Sequence, residues 1–360
     1  MIHFLPTQAQ EKASKNLPGQ YKKYHRPIMA KLGIGEFQSA ILELKTYLRK
    51  APHDAETLFC LALAYSGSGD GTEALNYAKK AMSEGLPLER FIAGPRSLNE
   101  ELLKTDGFVE IMRSSSVKLV HGPMIGDLSS DSVKIWVRAS KESEIKVVIE
   151  GVTAERVMAL AKNDYTALIQ IKGLDPDTFY HYQIFQNDHA IDLGIEPGFR
   201  TQKKGGGETI KIIFGGGAGF TPKYERIWGT IKDHKPDALL LLGDNVYIDR
   251  PEIREVGQYC YFRRQSRPEW RKLIAGVPVY AIWDDHDYGE NDAGIEYPKK
   301  AESQQIFLDF LGEPKDSDRR KTLGIYDSVT IGPKGKRVQF ILLDTRYFRT
   351  ALKRAPKREK

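Results

Sequence analysis

The chain has 360 residues, 41% of them hydrophobic and 28% charged, with a formal net charge of +6 at pH 7, enough length for two or three domains with separate cores. No apolar run reaches membrane-spanning length, and the two cysteines, Cys60 and Cys260, form neither a disulfide framework nor a zinc spacing. The charge does not point to specific nucleic-acid binding, because residues 346 to 360 hold seven Lys or Arg and one Glu, a net of +6 that leaves zero for residues 1 to 345.

The first residues, MIHFLPTQAQEKASK, lack an apolar stretch of signal-peptide length, so the literal reading is cytoplasmic and the location stays open. Residues 21–115 read as a helical module whose residues 21–88 carry a repeat at a spacing of 34: Gly35 returns as Gly69, Ala40 as Ala74 and Tyr47 as Ala81, with Pro52 matched one place late by Pro87. Small residues at that period allow paired helices to approach closely. The segment 97–114 is periodic enough to add one capping helix. This pattern resembles the tetratricopeptide repeat, which implies a groove for a protein or peptide partner; packing on a neighbouring domain is the other reading.

From residue 117 to 203 the apolar period changes to two. Strands are predicted at 131–140, 144–150, 166–171 and 178–185, as in a β-sandwich. Leu174-x-Pro176-x-Thr178-x-Tyr180-x-Tyr182 resembles the tyrosine corner of fibronectin type III domains, and no catalysis is assigned here. Lys203, Lys204 and Gly205 to Gly207 read as a linker. Residues 209–360 then alternate strands (210–214, 238–243, 277–283) with helices (221–234, 253–274, 299–312), a layered α/β domain. The fold class is therefore multidomain: α, then β, then α/β.

Two of those strands run straight into carboxylates. LLLLGDNVYID (239–249) stops on Gly243, Asp244, Asn245 and Tyr247, and VYAIWDDHDYGEND (279–292) on Asp284, Asp285, His286 and Asp287. Parallel strands buried on both faces open their carboxyl ends into one crevice. Acids gathered there resist joint ionisation unless a cation sits among them, and carboxylate, amide and phenolate oxygens suit hard divalent or trivalent ions. Asp and Asn after a strand also cap helices and make turns. Five acids between residues 284 and 292, around the single His286, exceed what capping requires. A histidine there can donate a proton or hydrogen bond to a departing oxygen near neutral pH. The run Gly215-Gly216-Gly217 fails the dinucleotide pattern G-x-G-x-x-G because Phe220 stands at its last position, leaving an anion cradle or a close-packed turn.

Gly243-Asp244-x-x-Tyr247 resembles the metal motif of calcineurin-like metallophosphoesterases. The string Trp283-Asp284-Asp285-His286-Asp287, with Asn291-Asp292 after it and Leu343-Asp344-Thr345-Arg346-Tyr347 later, resembles PhoD-type alkaline phosphatases and phosphodiesterases. The resemblance covers roughly 117 to 349. It implies hydrolysis of phosphomonoesters or phosphodiesters by metal-bound hydroxide at a Ca2+ and Fe3+ site. Carried over residue by residue, Asp244 is the bridging ligand, Tyr247 the iron-bound phenolate, Asp285 and Asn291 further metal ligands and His286 the catalytic donor; Asp284 is read as a catalytic carboxylate that orients the groups in front of it. Asn245 and Arg264 are assigned to the phosphate-ester substrate; for Arg263, Arg264 and Arg267 a solvated helix face is the favoured reading. The family's exported location is implied as well.

The chain departs from that pattern twice. Gly215 to Gly217 stand where the resemblance expects a cysteine thiolate, and His234 and His286 are the only histidines after residue 209, where the family closes its site with a Gly-Asp-x-His segment. The expectation is a C-terminally incomplete catalytic domain. The alternative is a noncatalytic binding scaffold with tetratricopeptide repeats and a degenerate phosphoesterase domain.

Overall fold

The computed structural model describes residues 24–149, 151–205, 209–219, 225–333 and 335–351. The expectations for residues 1–15, for Gly206 and Gly207 in the linker, for Phe220, for the first turn of the helix at 221–234 and for the basic tail past residue 351 lie outside the described residues.

Two helix pairs come first: α1 (Arg26–Gly33) with α2 (Phe37–Leu48), and α3 (Ala55–Gly67) with α4 (Gly71–Ser83). Gly35 and Gly69 turn each pair at φ of +84° and +90°, which glycine reaches without a Cβ clash. Ala40, Ala74, Ala78 and Ala81 are wholly buried, so the spacing of 34 is a rule of close helix approach. Asp54 and Asp70 cap α3 and α4 by accepting the amides of Glu56 and Glu73. Three further helices cover the end: α5 (Leu88–Ala93), α6 (Arg96–Lys104) and α7 (Asp106–Ser114). The single helix expected over 97–114 breaks at Thr105, which turns extended and accepts the Phe108 amide at 3.3 Å as the cap of a new helix.

The middle of the chain forms two facing sheets. One has β1 (Leu119–Gly126), β2 (Ser132–Ala139) and β5 (Thr166–Lys172); the other has β3 (Ser143–Ile149), β4 (Val152–Ala159), β6 (Phe179–Gln186), β7 (His189–Ala190) and β8 (Gly198–Arg200). Val133, Ile135, Val137 and Ile169 of the first meet Ile145, Val147, Ile149 and Ile184 of the second in one core. The Tyr180 hydroxyl accepts the Asp175 amide at 2.8 Å, tying the loop before β6 to the strand.

The last part is a parallel sheet with β10 (Ala238–Leu242) between β9 (Ile212–Gly215) and β11 (Val279–Ile282). Between these strands run α8 (Ile227–Asp233), α9 (Arg254–Gln265) and α10 (Pro268–Ile274). The helix expected over 253–274 divides because Pro268 forces Arg267 out of the helical region, to ψ of 125°. After β11 come α11 (Asp285–Tyr288), α12 (Lys300–Phe310), α13 (Asp318–Lys321) and an antiparallel hairpin of β12 (Asp327–Ile331) and β13 (Val338–Leu342). Parallel pairing puts the ends of all three sheet strands at one edge. Among the described residues no helix is long and apolar enough to cross a membrane.

The parts share surfaces. One hydrophobic cluster runs from Ile28 and Phe59 of the helical module to Tyr259 and Trp283 of the α/β part. At its heart the buried Arg90 guanidinium lies between the rings of Phe59 (4.7 Å) and Tyr259 (5.8 Å) and donates to Glu56 at 2.6 and 3.1 Å. Arg263 of α9 stands 3.7 Å from the same carboxylate. The two-sheet part is fastened by the Tyr182 hydroxyl donating to Ala275 O at 2.8 Å and by Arg271 donating to Gly122 O.

Burial alone would raise the Glu56 carboxyl, but Arg90 and Arg263 outweigh it and hold the group well below the usual carboxylate range. With the folded pKa below the unfolded one, this stabilisation is present above pH 4.5, the ordinary value, and is lost as pH falls beneath it. Glu56→Ala is expected to destabilise the chain by about 3–5 kcal/mol, because Arg90 is left buried without its partner. In urea unfolding the stability gap between wild type and Glu56→Gln should narrow as pH drops below 4.5.

Candidate metal centre

Strand β10 ends on two left-handed residues, Gly243 at φ +100° and Asp244 at φ +51°. The turn brings its backbone against the end of β11. A Cβ on Gly243 would fall 2.6 Å from Asp284 Cβ and 2.8 Å from the Asp284 amide nitrogen, so only glycine fits. The glycine-rich loop after β9 docks on the same turn, Gly217 N donating to Gly243 O at 3.1 Å and Ala218 N to Asp244 O at 2.9 Å.

Polar struts then lock the two carboxylate loops together. Asp287, 1% exposed, accepts from the Asn245 amide (2.9 Å), the Asn245 side chain (2.6 Å) and the Asp284 amide (2.6 Å). Asp284 and Asp287 also form a capping box on α11. Capping therefore accounts for two of the five acids, and of Asp285, Glu290 and Asp292 that remain, Asp285 stands with Asp244.

Asp244, Asp285 and His286 each offer a donor atom within 4.8 Å of the others. Tyr247 completes the group: its phenol stands beside the Asp244 carboxylate and its ring centroid lies 4.5 Å from that of His286. Burial, with repulsion from Asp285 and Asp284, raises the Asp244 carboxyl against the pull of His286. The Tyr247 phenol is pushed up to about 12, by burial first and Asp244 second. Asp285 moves the other way: burial is outweighed by the Asp292 amide, 2.8 Å from Oδ2, and by Arg346, 3.4 Å from Oδ1. Asp244 Oδ1 is buried and accepts no hydrogen bond among the described residues. Such an orphaned oxygen beside a charged carboxylate, a phenol and an imidazole fits a cation that prefers oxygen donors.

Supporting groups come from further away. His286 Nδ1 bonds to the Asp249 carboxylate, and Asp249 pairs with Arg26 of α1 at 2.5 Å. Arg346 donates from Nε to Asp284 at 2.5 Å. Asp344 holds that arginine's backbone: its Oδ1 accepts the amides of Arg346 and Tyr347 and the Trp283 indole at 2.8–2.9 Å. The stretch Leu343 to Tyr347 is thus a bracket that delivers one guanidinium to the centre.

Of the residues expected from sequence, Asp244, Tyr247, Asp285 and His286 come together, with Asp284 directly behind them. Three stand apart. Asn245 is buried, its amide spent on Asp287 and on Ile282 O. Arg264 is 1% exposed, donates to Ala218 O at 2.9 Å and lies 4.7 Å over the Trp228 ring, so burial removes it from the substrate surface on which it was expected. Asn291 is exposed and donates to Asp292 at 3.0 Å. Asp249, Arg346 and Arg26 were not expected. Asp249 ends the first motif and Arg346 sits inside the third, whereas nothing in the sequence around Arg26 signals it.

Gly243→Ala is expected to lose at least about 2 kcal/mol in urea unfolding, because the added methyl meets backbone atoms that cannot rotate away.

A family profile described as a domain of unknown function (DUF7800) matches residues 116–201, the two-sheet part. Among curated proteins none matches the chain. Among solved structures the chain is similar to "Structure of PhoD", with a TM-score of 0.54 and 19% identity over 66% of this chain and 53% of that one. The chain thus spans about half the length of that structure, and the likeness shows a shared mixed α/β fold. Smaller alignments reach the sensor domain of the anti-sigma factor RsgI4 of Pseudobacteroides cellulosolvens (TM-score 0.20, 14% identity, 25% of this chain and 98% of that one). They also reach the fn3 domain of human contactin 1 (TM-score 0.16, 20% identity, 24% and 77%).

Proposed function

We propose that this chain hydrolyses phosphate esters at the centre formed by Asp244, Asp285, His286 and Tyr247. The observation that carries the reading is the convergence of those donors around the orphaned Asp244 oxygen; the shared fold with PhoD supports it. Calcium or ferric iron bound there would neutralise charge on the phosphate and make water a better nucleophile near neutral pH. Asp244, Asp285 and Tyr247 would hold the ions. His286, steadied at Nδ1 by Asp249, would donate from its other nitrogen to the departing ester oxygen. Asp284 would orient the Arg346 guanidinium, which offers a fixed positive charge at the edge of the centre. The helical module is read as tetratricopeptide-like and the two-sheet part as fibronectin-like, neither with a chemical role of its own.

The test compares wild type with Asp244→Ala on a chromogenic phosphodiester, with calcium or iron added. A metal-dependent rate at least about a hundredfold higher in wild type is expected, on the scale at which loss of metal-site groups acts. Saturating cation should also raise the wild-type melting temperature by a few degrees and leave the variant unmoved. Equal rates in both proteins would favour the scaffold reading.

A further inference from the structure

We propose that Arg26 is a positioning residue for this centre: from the helical module it holds Asp249, and through Asp249 it fixes His286 with Nδ1 as donor and Nε2 facing the phosphate. The proposal deepens the phosphoesterase reading and rests on it only for the role of Nε2.

Arg26 lies 221 positions before Tyr247, yet its Nη1 donates to Tyr247 O at 2.9 Å and pairs with Asp249 Oδ2 at 2.5 Å. One guanidinium therefore grips the first metal loop by backbone and side chain together. The pair is shielded, Arg26 being 16% and Asp249 25% exposed at the side chain, so water screens it less than a surface ion pair. Asp249 Oδ1, the oxygen left over, meets His286 Nδ1. An ionised carboxylate can only accept, so Nδ1 carries a hydrogen in the neutral and the protonated ring alike, and Nε2 is the nitrogen that takes up the proton given to the departing oxygen.

The same loop is fixed at its backbone. Ile248 N and Asp249 N donate to His286 O at 2.8 and 3.3 Å, and Asp249 itself sits at φ +55°, a conformation that needs such support in a non-glycine residue. On the other side α1 is anchored by Ile28, Met29 and Leu32, each 2% exposed or less. The helical module thus delivers its arginine from a rigid base. Without that positive charge Asp249 would be drawn toward water, and the ring it holds would lose its single orientation.

The experiment uses the full chain, labelled with 15N-histidine, as wild type, Arg26→Ala, Arg26→Lys and Asp249→Asn, with melting curves to verify folding and His286→Asn to assign the resonance. In Arg26→Ala the His286 signals should leave the Nδ1–H tautomer for an average of both. With metal present, kcat on the chromogenic phosphodiester should fall about ten- to a hundredfold, while KM stays within about twofold, as for a group acting in the transition state. Arg26→Lys should recover most of both effects, and Asp249→Asn should reproduce them. Should Arg26→Ala fail to fold, Asp249→Asn and Arg26→Lys decide by the same tautomer readout. Unchanged His286 signals in Arg26→Ala, or in Asp249→Asn where that variant decides, would overturn the proposal. A wild type without hydrolysis would overturn the phosphoesterase reading instead, and the tautomer measurement would still decide the role of Arg26.

Discussion

Everything at the centre depends on two strand ends held in backbone contact. Gly243 leaves no room for a side chain against Asp284, and Asp287 ties the following residues together by accepting three N–H groups. This geometry brings Asp244 and Asp285 to a separation that free carboxylates would avoid. The opposing pulls on the two groups follow: Asp244 is raised by burial and by its acidic neighbours, whereas Asp285 is lowered by an amide and a guanidinium. One carboxylate is satisfied as an anion, and the other is short of a positive partner. That imbalance is what makes the place chemically distinct from an ordinary capped turn.

The sequence made part of this legible. An apolar run ending on Gly-Asp, followed by another ending on Asp-Asp-His, can be read because buried parallel strands end together, and the periods of two and 34 carry the sandwich and the helix pairs. Other features have no linear signature. Arg263, Arg264 and Arg267 look alike in a string, but Arg264 turns inward because Trp228 and Trp270 offer it flat faces. Asn245 reads from sequence as a substrate contact and is a strut, since its partner Asp287 belongs to another loop. Strand β1 escaped notice because seven of its eight residues are buried, so it lacks alternation. The break at Pro268 was readable from the proline alone.

The helical module adds a second lesson. Its repeat resembles one that receives a partner, with packing on a neighbouring domain as the other reading, and in the fold Arg90, Glu56 and Phe59 reach α9 and Arg26 reaches Asp249. A repeat unit needs a neighbour to bury its face, and here the α/β part is that neighbour. The order of parts along the chain therefore understates how closely the first and the last cooperate.

The cluster running unbroken from Ile28 to Trp283 has a practical corollary. A fragment starting at the glycine linker would expose Tyr259, which stacks on Phe59, and Arg263, which faces Glu56, a surface that invites self-association. Dissection of this chain into separately expressed pieces is thus expected to yield aggregates, and engineering of either end has to treat both as a single inherited unit.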